Sequence, residues 1–408
     1  MKKILIYFIK FSSVIGGGEY LPLLFLSEFQ KRGHDVTMAV YWEGEVEQSA
    51  KAYGIPIDTS KLKVVRVKPE GRWQSKIDAV IPVFRTMALR KLAKQADIRI
   101  SALNIVDFGR PAHHFISDIQ HGQFADGAFC DYAHHRTPTG IRRGYRKIRR
   151  FLMDRILRPV LRVRSTGQIV TDKAEHIYPN SLYIETLMRD FYGSLNSEVL
   201  YPPTTFEVTH ELPERDPLRV VYLGRIHPQK KITDIIGMVG KARAVSGKNL
   251  TLHVAGPLPD SPYVEQLRRL ADATEWLFLH DALYGRDKER FLASGAFAIH
   301  AQRDEAFGIS ITEYLKAGLI PIVPDEGGSP EVVASPELAY HDDDEAVKIL
   351  VRLLDDAEFR ETQQRHCAER AKDFSLPVYL KRQQEVLNEI LKGAETRQRS
   401  RIPPEAEK

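Results

Sequence analysis

Short apolar runs of strand length alternate with longer amphipathic segments along nearly the whole chain, the pattern of βα units wound around parallel sheets. In the first half, Ile4 to Ile9, Asp35 to Tyr41, Val64 to Val67, Ile98 to Leu103, Phe115 to Gln120 and Gln168 to Thr171 predict strands. A helix over Glu19 to Arg32 is expected to stop at Gly33, a residue type that readily takes the left-handed conformation of a helix terminus. The alternation breaks at YPPTTFEVTHELPERDP, Tyr201 to Pro217, where prolines and charges replace the periodic pattern. It restarts with RVVYLGR, LTLHVAG, WLFLHDA, FAIHA and LIPIV as strands. Two doubly wound α/β domains are expected, over residues 1–203 and 204–375. A C-terminal helix over 376–393 packing back on the first domain and a disordered polar tail over 394–408 follow them. No internal repeat is visible in the residues themselves.

Composition changes this picture little. A chain of 408 residues exceeds the usual single domain, and 43% hydrophobic with 28% charged residues is ordinary for a globular protein. The net charge of +5 does not by itself point to nucleic acid. Cys130 and Cys367 are too few for a disulfide framework or a thiolate zinc site, which fits a reducing, cytoplasmic compartment. The start MKKILIYFIK carries too short an apolar run for a signal peptide and lacks a small-residue cleavage site, so Ile4 to Ile9 reads as a buried strand. No run of about 18 apolar residues occurs. The acidic DDDE at Asp342 to Glu345 directly precedes the amphipathic AVKILVRLL, and reads as helix capping rather than a metal cluster.

The chemistry concentrates in EAFGISITEYLKAGLIPIVPDEGGSPEVV, Glu305 to Val333. Phe297 to Ala301 reads as a strand and Ile309 to Ala317 as a helix closed by Gly318, so residues 302–308 form a loop at the carboxyl edge of the sheet. Ligands of open α/β sheets bind at that edge, and free N–H groups near Gly308 to Ser310 suit a phosphate or diphosphate. Glu313, about one turn inside the helix, is placed to accept from a ribose, and Glu305 to hold a sugar hydroxyl. The blander reading makes Glu305 a solvated loop residue and Glu313 a surface charge near a favourable dipole end.

The stretch EAFGISITE resembles the E-x7-E motif of retaining glycosyltransferases of family 4, which have the GT-B fold, and GGSPE at Gly327 to Glu331 matches that family's next loop. VVYLGRIHPQKK resembles the family's strand, GR and downstream Lys, which singles out Arg225 and Lys230. HVAGP at His253 to Pro257 is similar to the border of the base-binding pocket. GGGE at Gly16 to Glu19 falls between the first strand and first helix, and lacks the G-x-G-x-x-G order of a dinucleotide site. YPNS at Tyr178 to Ser181 and VLYPP at Val199 to Pro203 match family features before the linker; without the family they are a helix cap and a rigid hinge. The resemblance implies two doubly wound Rossmann-like domains facing across a cleft, and metal-independent hexosyl transfer with retention. It requires no cofactor, the nucleotide-sugar being a substrate. It assigns Glu305, Arg225, Lys230 and His121 to catalysis, with Gly17, Gly18, Gly256, Phe307, Gly308, Ile309, Ser310 and Glu313 on the donor. Fixed cations are what a departing diphosphate needs where no metal serves. One departure stands out. Many members carry a His in a short H-x-P setting at the end of a first-domain strand, and no clean match exists here. FISDIQHGQF offers Ser117, Asp118 or His121, and CDYAHHRTP offers His134 or His135; His121 is preferred because it follows the apolar strand.

The positive charge clusters in Arg136 to Arg164, RTPTGIRRGYRKIRRFLMDRILRPVLRVR, where a single acid, Asp154, interrupts the basic residues. Ile141, Tyr145, Ile148, Phe151, Leu152, Ile156 and Leu157 lie between them at roughly helical spacing. This segment is either a domain helix with a solvated basic side or an interfacial helix attracted to an anionic membrane surface or a lipid diphosphate. No nucleic-acid partner is expected. The expected partners are a nucleotide-diphospho-sugar donor and a glycan or lipid-linked acceptor, at the cytoplasmic face of the membrane. Two rivals from other classes are a nucleotide-sugar epimerase and a non-catalytic glycan-assembly subunit.

Overall fold

The computed structural model describes residues 1–9, 11, 17–41, 45–67, 81–117, 129, 155–156, 158–208 and 214–399. The chain forms two compact units, Met1–Pro203 with Leu380–Lys408, and Thr204–Tyr379. In the first, β1 (Lys3–Phe8), β2 (Asp35–Val40), β3 (Lys63–Arg66), β4 (Ile98–Ser101), β5 (His113–Ile116) and β6 (His176–Pro179) form one sheet in the order β3-β2-β1-β4-β5-β6. In the second, β7 (Asp216–Leu223), β8 (Thr251–Ala255), β9 (Leu277–His280), β10 (Gly295–Ile299), β11 (Ile320–Pro324) and β12 (Ala339–Tyr340) run β12-β11-β10-β7-β8-β9. Every strand pairing is parallel.

Parallel sheets need helices on their faces, and this dictates the sequence pattern. The strand β10 is buried at every position, and β1 everywhere but at its first residue, so both read as continuous apolar runs. The two sheets share one winding: the chain lays down three strands toward one edge, returns to the first, and continues toward the other. The strand order reverses between β1 and β4 in the first unit and between β7 and β10 in the second. At such a reversal the connections diverge to opposite faces and leave a crevice outside the carboxyl ends of the strands.

In the first unit Leu5, Tyr7, Ala39, Leu89, Val106 and Phe108 pack in one core cluster. The helix Gly17–Lys31 is followed by Gly33 at φ 75°. The long helix Leu376–Arg399 contributes the buried Val386, Leu387 and Ile390. Its Gln384 and Asn388 accept hydrogen bonds from Arg32, and Gln384 donates to Glu28. This helix runs past residue 393, where the polarity of the sequence suggested a disordered tail; residues 400–408 lie outside the described residues.

Two expectations for the first sheet are corrected. Gln168 to Thr171 is not a strand: Thr166–Val170 is helical, opened by a capping box in which Ser165 accepts from the Gln168 N–H and the Gln168 side chain accepts from the Ser165 N–H. The sixth strand is His176–Pro179 instead, and Ser181 caps the helix Leu182–Tyr192 that follows it. β5 begins at His113, two residues before the expected Phe115, and residues 118–120 of that expected strand lie outside the described residues.

Of the basic segment, only residues 155–156 and 158–164 are described. The Arg164 guanidinium bonds Asp107, Asp172 and Glu175, and Asp107 also takes Arg90 at 2.5 Å. Asp107 and Glu175 are 3% and 0% exposed, so Arg164 is the counter-charge of a buried network. Burial opposes ionisation of both carboxyls, but the Arg164 backbone and side chain, with Arg90 at Asp107 and His114 at Glu175, hold their pKa values below the ordinary range.

At Gly256, just after β8, packing demands glycine. A Cβ there would stand 1.9 Å from the Gly224 carbonyl oxygen, a backbone atom that cannot step aside. Gly256→Ala is therefore expected to force β7 and β8 apart at their carboxyl ends, costing about 1–3 kcal/mol. The melting temperature of the second unit should fall by roughly 2–4 °C per kcal/mol; an unchanged melting curve would contradict this packing.

Candidate functional site

The candidate site is built where the second sheet reverses. β7 ends at Leu223 and β10 at Ile299, adjacent strands whose next residues are Gly224-Arg225 and His300-Ala301. The chain after β10 runs through Glu305 to Gly308, whose φ of 99° is open to glycine at little cost, and then enters the helix Ile309–Lys316. No side chain caps that helix. Its first N–H groups, around Ile309 and Ser310, are therefore a ready donor set for an anion, reinforced by the helix dipole.

Glu305 is the centre of the electrostatics. Its Oε2 takes the Lys230 ammonium at 2.5 Å, with the two side chains 14% and 18% exposed. The same oxygen lies 3.3 Å from Nε2 of His300, which is 1% exposed. That approach is close but outside hydrogen-bond geometry, and neither ring nitrogen of His300 has a hydrogen-bond partner. Burial opposes ionisation of Glu305, but His300 and Lys230 overcome it and hold the carboxyl well below the usual carboxylate range. Burial likewise lowers the pKa of His300, more than the carboxylate raises it. Burial thus favours the neutral form of His300, while Lys230 is the permanent cation against Glu305.

The backbone of this loop is braced from three sides. The Gly328 N–H donates to the Glu305 carbonyl at 2.8 Å. A Cβ on Gly327 would stand 2.3 Å from the Arg303 oxygen, and one on Gly328 would stand 2.4 Å from the Ala306 oxygen, so only glycine permits the approach. Here lies the physical reason for the GG of GGSPE. Tyr340 Oη donates to the His300 carbonyl at 2.9 Å, and Tyr314 Oη both accepts from the Leu223 N–H and donates to the Leu223 carbonyl.

The other expected residues fall as follows. Arg225 is exposed just past β7, and its guanidinium meets no carboxylate among the described residues. Glu313, in the helix Ile309–Lys316, pairs with Lys288 at 2.6 Å. Phe307 is 2% exposed with its ring against Phe374, so its side chain serves packing and only its backbone faces the loop. His253 stacks on Phe278 and lies 3.0 Å from His280, and burial pushes its pKa down to about 4. Gly17 and Gly18 open the first helix of the other unit, where a Cβ on Gly18 would meet nothing within 4 Å. His121 and Gly16 lie outside the described residues.

Sequence reasoning missed two side chains. His300 was hidden inside the apolar run FAIHA, and Lys288 resembled any solvated helix lysine; a signal was available only for the first, since a histidine closing a buried strand at the reversal point is an unusual placement. Asp342 caps the helix Asp343–Asp355 by accepting from the Glu345 N–H, as the acidic run suggested. Among the described residues, no group of three or more His, Cys, Asp or Glu could hold a metal ion, and no helix is long and apolar enough to cross a membrane.

Comparison with known proteins bears on the family and the fold. Residues 206–374 match the family model described as Glycosyl transferases group 1. A GDP-Man:Man(3)GlcNAc(2)-PP-Dol alpha-1,2-mannosyltransferase of Candida glabrata is 29% identical over 165 residues, 36% of this chain and 32% of that protein. The chain thus spans about a third of that relative. Among solved structures, HepE from Anabaena in complex with UDP and glucose superposes with a TM-score of 0.62 at 15% identity, covering 95% of this chain and 100% of that one. WaaG, a glycosyltransferase involved in lipopolysaccharide biosynthesis, gives 0.60 at 15% identity, covering 91% and 96%. These likenesses show the GT-B fold.

The Lys230–Glu305 pair makes a prediction of its own. Lys230→Met strands a mostly buried carboxylate and should cost about 3 kcal/mol, the lower end for a broken pair because both side chains keep some access to water. Adding Glu305→Gln should recover most of that loss. The contribution is complete above the unfolded glutamate pKa of about 4.3 and disappears as pH falls through the lower folded value, so the gap between wild type and Lys230→Met should close in acid. Melting curves of the three proteins between pH 7 and pH 3 check this; a gap independent of pH would contradict the pairing.

Proposed function

We propose, from the premise that the chain belongs to the glycosyl transferases group 1 family through residues 206–374, that it moves a hexose from a nucleotide-diphospho-sugar to a glycan or lipid-linked glycan, with retention at the anomeric carbon. The observation that supports this most is the convergence, at one strand reversal, of an ionised Glu305, the Lys230 cation, the exposed Arg225 and an uncapped helix start. Each part suits one portion of such a donor.

The diphosphate meets the first N–H groups of the helix Ile309–Lys316, with Lys230 and Arg225 as the cations that balance its growing charge. Glu305 holds a sugar hydroxyl through the oxygen that Lys230 leaves open, and Glu313 accepts from the ribose. As the bond between the anomeric carbon and phosphate breaks, the electron pair stays on the departing diphosphate. The acceptor oxygen attacks from the same face and its proton passes to the departing phosphate oxygen, so the configuration is kept. A double displacement would need a second carboxylate free for the sugar, and in this reading Glu313 is committed to the ribose.

Relatives narrow the substrate class. HepE is solved with UDP and glucose, the Candida glabrata relative is named for GDP-mannose and a lipid-diphosphate-linked glycan, and WaaG is described as acting in lipopolysaccharide biosynthesis. A hexose donor fits the first two names, and a lipid-linked acceptor fits the last two. The basic segment 136–164 would then hold the chain, by charge, against the anionic inner face of the membrane.

Glu313→Ala should weaken donor binding by about 10- to 100-fold in calorimetry, the worth of a charged hydrogen bond of about 1.5–3 kcal/mol, with the fold intact. Unchanged affinity would take Glu313 out of the site.

Arg225→Ala and Lys230→Ala should lower turnover more than donor affinity, because the charge they face grows as the bond breaks. Release of nucleoside diphosphate from UDP-glucose or GDP-mannose, measured with saturating donor and an oligosaccharide acceptor, tests both. Wild-type turnover in both variants would refute the leaving-group role. A chelator should leave the rate unchanged, and strict dependence on a divalent metal would count against the proposed chemistry.

A further inference from the structure

Glu313 has two oxygens, and the described protein occupies one of them. Oε1 takes the Lys288 ammonium at 2.6 Å, while no hydrogen bond from a described residue reaches Oε2. The side chains of Lys288 and Glu313 are 24% and 10% exposed, so the pair is sheltered rather than a surface bridge.

Lys288 is held there at a cost. It lies at the end of the first turn of the helix Gly285–Ala293, where the helix dipole disfavours a cation. A lysine also loses considerable rotamer freedom when it is fixed. Two groups offset this: the Glu313 carboxylate, and the ring of the buried Phe206, whose centroid lies 5.6 Å from the ammonium. Phe206 is itself anchored to the Glu313 helix, because Lys316 donates to the carbonyls of Thr204 and Phe206 at 3.1 and 2.8 Å, and Thr204 shares a 2.7 Å hydrogen bond with Thr312. Three separate stretches of chain therefore cooperate to fix one carboxylate in one rotamer.

We propose that Lys288 is a positioning residue for nucleotide recognition: it pins Oε1 of Glu313 and so presents Oε2, already oriented, to a ribose hydroxyl. The proposal rests on the reading of Glu313 as the ribose acceptor. An acceptor fixed before the ligand arrives loses no rotamer freedom on binding, so the affinity gained from the ribose is larger. Lys288 thereby sets the preference for a ribonucleotide over its 2′-deoxy form without touching the nucleotide.

The test is calorimetry on the full chain with GDP, UDP and ADP, each paired with its 2′-deoxy counterpart, using the base that binds most tightly. Wild type should favour the ribo form by about 10-fold. Lys288→Met, and Lys288→Gln as a second variant, should bring that ratio to within about twofold of unity by weakening the ribo form alone, and Lys288→Arg should restore most of it; melting curves confirm that each is folded. A Lys288→Met protein that keeps the wild-type ratio, or that loses affinity equally for both forms, overturns the proposal while Glu313→Ala, by abolishing the ratio, leaves the ribose reading standing. A wild type that binds both forms equally, or binds none of the nucleotides, overturns the ribose reading and the proposal together.

Discussion

A carboxylate that has lost most of its water needs a cation within reach, and Glu305 obtains one from Lys230 at 2.5 Å. The two residues come from different βα connections of one sheet: Lys230 follows β7, Glu305 follows β10, and these neighbouring strands are separated by more than seventy residues of chain. Only a sheet whose order reverses between them brings the two loops face to face. Much of the surrounding architecture serves to keep that meeting in place. The glycines at 327 and 328 let a third loop press against the Glu305 backbone, and the hydroxyls of Tyr314 and Tyr340 tie down the ends of β7 and β10.

Under the proposed function the same arrangement would serve an anionic donor. A charged pair that is fully satisfied internally is a structural element; one in the same sheet reversal as an uncapped helix start and an arginine that meets no carboxylate among the described residues is suited to being shared. When a diphosphate enters, Lys230 gains a second anionic partner without having to be desolvated again, since that cost was met on folding. Lys230 and His300 both face Oε2 of Glu305, and among the described residues neither reaches its other oxygen.

How much of this was legible in the sequence depended on the range of the interaction. The strands of the second domain announced themselves because burial on both faces forces continuous apolar runs such as FAIHA and LIPIV, and Gly308 and Glu313 stood in a local motif. The sixth strand of the first sheet did not: Gln168 to Thr171 has strand-like residues, but the Ser165–Gln168 capping box decides for helix, and YPNS, which overlaps the end of the HIYP strand, read as a helix cap without the family. The two-residue β12 is too short to leave a pattern. Lys288 was invisible for a different reason, since nothing local distinguishes a lysine that meets a carboxylate on another helix from one that meets water. Gly256 shows the converse, a motif position whose glycine is required by the Gly224 carbonyl beside it.

The account stands most directly on where a nucleoside diphosphate sits. A crystal structure of the full chain grown with UDP or GDP in the presence of a chelator should place the two phosphates over the first N–H groups of the helix Ile309–Lys316, with Lys230 turned toward them and the ribose beside Glu313. Phosphates bound anywhere else, or seen only when a divalent metal is supplied, would contradict it.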